Sequence, residues 1–392
     1  MNIKPLLNEK RTINDNRDAF IVLCALGIMA RFFVMQLGHN YDFESYMIVG
    51  DIVSKGGNVY AETYRYNYGF VFFLIQGLGY KVSQLFPEAL EGLYRVYIVS
   101  ILTMADLFIT LHIVRKYSYR CALLFFLNPI VIVITGYHNQ FDNIALLLAF
   151  VAIDYYDEKK SFSKDDIKAI TLLSFSLLVK HIMAFFFIWI LASRKFSNPR
   201  KRIAYACVPP VVFLISFIPF CLGNKAAFEG ILNNVFLYKS YNNYPLLSWF
   251  LDLAGVSDRY YFFIFIFIII VIGVLSRNME LDKAFLLYTA SLVAFSSAIA
   301  NQYLIIPMIA LATYKNKAFY WIYTAIGSFY CILNQNELHL ADRFSSRFPN
   351  ISSVIELFSV EGGITVTIMT IVLFAFIIVF MSEQRGKRQV QT

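Results

Sequence analysis

Residues 66–86 read YNYGFVFFLIQGLGYKVSQLF, and whether this apolar run crosses a membrane decides the topology of the whole chain. Its length allows a spanning helix, because about 20 apolar residues cross a hydrocarbon core of about 30 Å. Charge argues the other way. If 66–86 does not span, the basic clusters fall on one side: Lys4/Lys10/Arg11/Arg17, Arg115/Lys116/Arg120, Lys159/Lys160/Lys164, Arg194 to Arg202, Arg277/Lys283, Lys315/Lys317 and Arg385/Lys387/Arg388. If it spans, the later loops change sides and this asymmetry collapses. Short cytoplasmic loops collect Lys and Arg, so 66–86 is expected to lie as an interfacial helix on the outer face, followed by the acidic stretch PEALEG.

The rest of the 392-residue chain supports a membrane setting, being 58% hydrophobic and only 15% charged. Soluble domains carry about 25% charged residues. Long apolar blocks favour helices over a closed barrel, whose strands alternate. The expected fold is all-α: a polytopic membrane protein of about 12 transmembrane helices. The net charge of +8 then reflects basic cytoplasmic loops rather than nucleic acid; there is no phosphate-loop or RNP-like pattern. The five cysteines have irregular spacing and read as small apolar residues, with no metal site. The basic residues before the first apolar run suggest a retained first helix.

Expected helices cover 19–37, 94–114, 119–136, 140–157, 167–179, 181–193, 202–222, 258–276, 281–299, 302–314, 317–333 and 361–381. The pattern divides into a membrane module at 1–222, with an outer loop at 38–93, and a second at 223–392, with outer loops at 223–257 and 334–360. Both ends of 167–193 are basic, so the run is expected to turn back near Lys180 and His181. A helix of about 13 residues rises only about 20 Å. A break at that depth needs protein or water around its backbone, which suggests a cavity.

Candidate chemistry gathers on the outer side. In GHNYDFESYMIVGDIV (38–53), Phe43, Met47, Ile48 and Ile52 share an apolar helical face, so this segment reads as an amphipathic interfacial helix. Asp42 at its start serves either as an N-cap or as a functional acid, with Glu44 beside it. Arg31 lies late in the first helix, where it either snorkels or pairs with a carboxylate or phosphate. In LNPIVIVITGYHNQFDN (127–143), Asn128-Pro129 is expected to kink a helix. His138, Gln140 and Asp142 follow; they suit sugar hydroxyls or the orienting of a base, or else form a polar turn capped at Asp142 or Asn143. Lys180, with His181, needs an anionic partner: a lipid phosphate, or a buried acid such as Asp106. Asn301, Gln302 and Tyr303 fit a sugar site or an interface belt, as do Trp249, Tyr241 and Tyr244.

Taken together, these segments resemble the GT-C superfamily of membrane glycosyltransferases. The nearest likeness is to the dolichyl-phosphate-glucose glucosyltransferases of lipid-linked oligosaccharide assembly and their bacterial relatives, over roughly residues 20–315. YDFESY resembles the family's acidic segment after the first helix, whose aspartate is the catalytic base; the likeness implies that role for Asp42. YNYGF resembles a Tyr-Pro-Pro segment, with Gly69 and Phe70 in place of the prolines. LNPIVIVITGYHNQFDN resembles the Asn-Pro helix with its His-x-Gln-aromatic motif, which places His138 and Gln140 near the active site. LVKHI resembles the lysine segment beside the donor phosphate, and NQYLIIP the late helix lining the donor cavity.

The function this implies is inverting transfer of one hexose from a polyprenyl-phosphate carrier to a glycan or lipid-linked acceptor on the non-cytoplasmic face. The expected partners are that donor, that acceptor and membrane lipids, without nucleic acid. No cofactor is expected; Asp42 and Glu44 could touch a divalent cation, but no full oxygen-ligand set is visible. A polymerase of lipid-linked glycans is an alternative, though the outer arginines (Arg65, Arg95, Arg259, Arg343, Arg347) are scattered. A flippase is another, for which paired broken helices are the signature. Residue usage rich in Lys, Ile, Asn and Phe points to a bacterial inner membrane with the site facing outward; an endoplasmic-reticulum membrane is the alternative, with one sequon at Asn350.

Overall fold

The computed structural model describes residues 4–157, 161–238, 245–333, 338, 343, 346–353 and 362–389. All regular structure among them is helical. Most of the expected outer loop at 334–360 lies outside the described residues, as do Tyr241, Tyr244, Lys159 and Lys160; so do the side chains of Lys4, Lys10, Arg11, Lys387 and Arg388.

Five helical stretches among the described residues are long and apolar enough to cross a membrane: Arg17–Met35, Pro87–Lys116, Pro199–Cys221, Asp258–Leu275 and Ile364–Gly386. They carry large apolar side chains on their outsides, such as Phe33 at 68% and Phe267 at 66% exposure. Such faces suit lipid rather than water. Two further runs are bent pairs, Tyr119–Phe126 with Pro129–Gly136 at 48° and Lys164–Val179 with His181–Ala192 at 112°, which raises the count to seven if each pair is one span.

This differs from the expected dozen for a physical reason. Several apolar runs form helices shorter than 18 residues, and protein covers much of their surface. Asp142–Asp154 has 13 residues, with Ala145, Leu146, Ala149 and Phe150 buried. Leu281–Ala294 has 14 residues and is buried nearly all round. A helix apolar on every side is a core helix as readily as a membrane one.

The bends fall where the backbone chemistry demands. Proline cannot supply the N–H that continues a helix, so the run 119–136 ends its first helix at Phe126 and bends at the expected Asn128-Pro129 kink. Asn128 restarts it, its side chain accepting from Ile130 N at 2.9 Å. At the second bend Lys180 is extended, with φ −154° and ψ 131°. The run 66–86 becomes a helix at Phe70–Ser83 of 14 residues, about 21 Å long and short of a span. It packs along the Tyr41–Ser54 helix through two glycines: Gly77 admits Val53, and Gly50 admits Tyr80. Just before it, Gly69 lies directly over the Leu178 carbonyl, where any Cβ would clash. The 66–69 loop therefore sits against the break at Lys180.

One buried polar knot ties the first helix to the others. The Arg31 and Asp106 side chains are both fully buried, and Arg31 Nε donates to Asp106 Oδ2 at 2.9 Å. Its other nitrogens donate to the Gly27 and Phe126 carbonyls at 2.9 and 3.0 Å. Thr135 Oγ1 donates to Asp106 Oδ2 at 2.7 Å, and the Asn143 amide donates to Asp106 Oδ1. Four elements, Lys4–Met35, Leu90–Lys116, Pro129–Gly136 and Asp142–Asp154, thus meet at one carboxylate.

Candidate functional site

The site is built around the first turn of the Tyr41–Ser54 helix. Asn40 caps that helix, its Oδ1 accepting from Asp42 N at 3.2 Å. The cap expected of Asp42 therefore belongs to Asn40, because an Asx side chain just outside the helix reaches the N–H two residues on. Asp42 is left with its carboxylate turned toward other elements.

Two amides hold that carboxylate. Gln140 Nε2 donates to Asp42 Oδ2 at 2.5 Å, and Asn40 Nδ2 donates to the same oxygen at 3.3 Å. Asp42 Oδ1 accepts no hydrogen bond among the described residues. The Asn40 amide also lies 3.0 Å from His138 Nδ1. Since Asn40 Oδ1 is committed to the helix N–H, its nitrogen is the donor here. His138 Nδ1 must then be the acceptor, which puts the ring proton on Nε2. Burial pushes the His138 pKa down to about 4, so the imidazole is neutral near pH 7, in keeping with that tautomer.

The turn that delivers Gln140 depends on Asn139, the one non-glycine residue with positive φ among those described, at 55°. Its amide donates back to the Thr135 and Gly136 carbonyls at 3.2 and 3.0 Å. Asparagine tolerates the left-handed region better than most residues. Behind this turn, Gly136 lies against the Arg31 carbonyl with no room for a Cβ. The polar knot thus fixes the helix from which His138 and Gln140 emerge.

A buried ion pair faces Asp42. Lys180 Nζ donates to Asp142 Oδ2 at 2.6 Å, with both side chains almost wholly buried. The partner is Asp142 rather than Asp106, which Arg31 already occupies. Asp142 does not cap its helix: the cap position is Phe141, which has no side chain to bond. The Lys180 ammonium also lies 5.0 Å from the Tyr68 ring centre and 4.8 Å from that of Phe141. Phe141 is pinned by stacking on Phe72 at 3.6 Å.

Electrostatics join the two halves. Burial raises the Asp42 pKa above the usual carboxylate range; Lys180 and the amides of Asn40 and Gln140 pull it down, and Asp142 pushes it up. Asp42 and Asp142 both act on the phenol of Tyr68, as does Tyr303. His181 lies 6.2 Å from Tyr68, ring to ring.

The structure thus gathers Asp42, His138, Gln140, Asp142, Lys180, His181 and Tyr303 around Tyr68 and Phe141. Gln302 precedes Tyr303 in the short helix Asn301–Ile305. Glu44 lies on the exposed side, 3.5 Å from the Arg65 guanidinium. Arg31 lies one layer behind, sealed among protein groups. Among the described residues no group of three or more His, Cys, Asp or Glu side chains could hold a metal ion.

Asn40 and Asn139 were not among the expected site residues, and Tyr68 and Arg65 were noted only as part of the YNYGF segment and as a scattered outer arginine. Asn40 carried a signal, as an Asx residue two before the acid at a helix start. Tyr68 meets the Lys180 ammonium through the packing of 66–69, while Arg65 bonds to Tyr41, Glu44 and Ser45. Compared with known proteins, the chain matches no family model, no curated protein and no solved structure.

Proposed function

We propose that the protein is an inverting membrane glycosyltransferase that moves one hexose from a polyprenyl-phosphate carrier to a hydroxyl of a glycan or lipid-linked acceptor, at the non-cytoplasmic face. The observation that carries this reading is the Asp42 carboxylate, held through Oδ2 by Gln140 and Asn40, without a hydrogen bond at Oδ1 among the described residues, and under the electrostatic influence of the Lys180 ammonium.

The chemistry follows from that arrangement. The acceptor hydroxyl approaches Asp42 Oδ1. As its oxygen attacks the anomeric carbon, the carboxylate takes the proton, so no free alkoxide forms. The bond from that carbon to the phosphate oxygen breaks, and its electron pair leaves with polyprenyl phosphate. Single displacement inverts the anomeric centre. Lys180 offsets the charge growing on the departing phosphate, a contribution that is large where water is excluded. Its ammonium has three donors, of which Asp142 takes one.

Support for the side of the membrane comes from the one-sided basic loops and from the short Phe70–Ser83 helix, on which reading the 38–93 segment lies on the face opposite those loops. A lipid-translocating reading draws on the bend at Asn128-Pro129, which adds a second broken helix to the one at Lys180.

The test uses the full chain in lipid nanodiscs with polyprenyl-phosphate glucose tritiated in the sugar. Transfer predicts label in a new glycosidic product of inverted configuration, with release of unlabelled polyprenyl phosphate. Label that crosses the bilayer still bound to its lipid supports translocation and overturns the transferase reading.

A further inference from the structure

We infer that an exposed tyrosine pair beside Asp42, Tyr41 and Tyr64 with Arg65 and Glu44, is the platform that receives the acceptor as a neutral sugar ring. This rests on the transferase reading and names the acceptor's recognition element.

Tyr41 and Tyr64 are 58% and 75% exposed, and the Tyr64 side chain lies within hydrogen-bonding reach of the Tyr41 phenol. Tyr41 immediately precedes Asp42 at the start of one helix, so the platform lies on the same helical turn as the proposed base. The ring is held in place by the Arg65 guanidinium, centred 3.6 Å from it. Arg65 is fixed in turn: Nε donates to Ser45 Oγ at 3.0 Å, and Nη2 to the Tyr41 carbonyl at 3.1 Å and Glu44 Oε2 at 3.5 Å. Tyr41, Glu44 and Ser45 are three and four residues apart and share one helix face. Arg65 Nη1 has no partner among the described residues.

Such a set matches the two-sided chemistry of a pyranose. The C–H face of the sugar carries slight positive charge and suits the electron-rich face of a tyrosine ring. Its hydroxyls are both donors and acceptors, and they meet Glu44 as acceptor and Arg65 Nη1 as donor. An anionic lipid headgroup fits less well. Arg65 is already paired with Glu44, so the patch offers no net positive charge to a phosphate. Tyrosines serving as membrane-interface anchors need neither a clamped ring nor a carboxylate beside it.

The test is saturation-transfer NMR on the full chain in nanodiscs. The probe is the mixture of neutral oligosaccharides released by mild acid from the membrane glycolipids of the source cells. Signal on sugar C–H protons is expected for the wild type and for Tyr41→Trp, which keeps a ring. About a ten-fold loss is expected for Tyr41→Ala and for Tyr64→Ala. Asp42→Asn should keep the signal, since the base is not needed for binding. In transfer assays Tyr41→Ala should raise the acceptor KM about ten-fold and leave the donor KM unchanged. If signal and acceptor KM stay at wild-type level in both alanine variants, the platform is refuted and the tyrosines are interface anchors, while the transferase reading still stands or falls on Asp42.

Discussion

Gln140 Nε2 lies 2.5 Å from Asp42 Oδ2, joining residues 98 apart in sequence. This bond fixes which oxygen of Asp42 is spent on structure and which remains open. Gln140 is therefore a positioning residue rather than a group that touches the reacting atoms. Replacing it with Ala is expected to lower kcat about 10²-fold, because a base released from its geometry loses much of its proximity advantage. The donor KM should change little. Initial-rate kinetics at fixed saturating acceptor separate the two parameters.

The acid limb of the pH profile should report Asp42. A base works in its ionised form, so activity is full above its pKa and falls as pH drops through it. Burial raises that pKa above the ordinary carboxylate range, so the limb should lie higher than for an exposed Asp. Gln140 and Asn40 favour the ionised form, and removing either donor raises the pKa further. The limb should then move toward higher pH in Gln140→Ala and Asn40→Ala. His138, with its pKa pushed to about 4, should add no inflection near pH 6.5. A limb that stays in place in both variants contradicts this assignment.

Lys180 and Asp142 separate stability from chemistry. Lys180→Met leaves a buried carboxylate without its partner and should destabilise the fold by about 3–5 kcal/mol. The double change Lys180→Met with Asp142→Leu removes both charges and should recover most of that loss. Turnover should stay low in both, because neither retains an ammonium for the leaving phosphate. Thermal unfolding in detergent, measured beside the transfer rate, distinguishes the two effects.

The Arg31–Asp106 pair behaves as scaffold alone. Arg31→Met or Asp106→Leu should each cost about 3–5 kcal/mol, and the double variant should be closer to wild type. Protein that remains folded should keep its donor KM, because both side chains are fully buried behind the site. A donor KM that rises with Arg31→Met in folded protein places Arg31 at the ligand instead.

What was legible in the sequence follows from what a local signal can carry. The turn at Lys180 was visible because two basic ends enclosed one apolar run, and the helix at 70–83 because its neighbours' charges needed one side. Fewer long apolar helices stand out among the described residues than the dozen expected spans. Apolar runs such as 142–154 and 281–294 have the same composition whether they face lipid or protein, and only packing tells which. Lys180 showed that it needed an anion, but choosing between Asp106 and Asp142 required knowing that Arg31 had taken the first. Tyr68, which the YNYGF resemblance covers, meets Lys180 through the close contact of Gly69 with the Leu178 carbonyl, a contact across about 110 residues that local periodicity does not encode.

The most direct measurement is turnover by Asp42→Asn in nanodiscs, with labelled polyprenyl-phosphate glucose and the source membrane glycolipids as acceptor. The substitution keeps the shape of the side chain and removes its capacity to take a proton. With unchanged unfolding temperature and donor binding, the rate of sugar transfer should fall by about 10²–10⁴-fold. A rate within about two-fold of wild type would remove Asp42 from the reaction and with it the proposed mechanism.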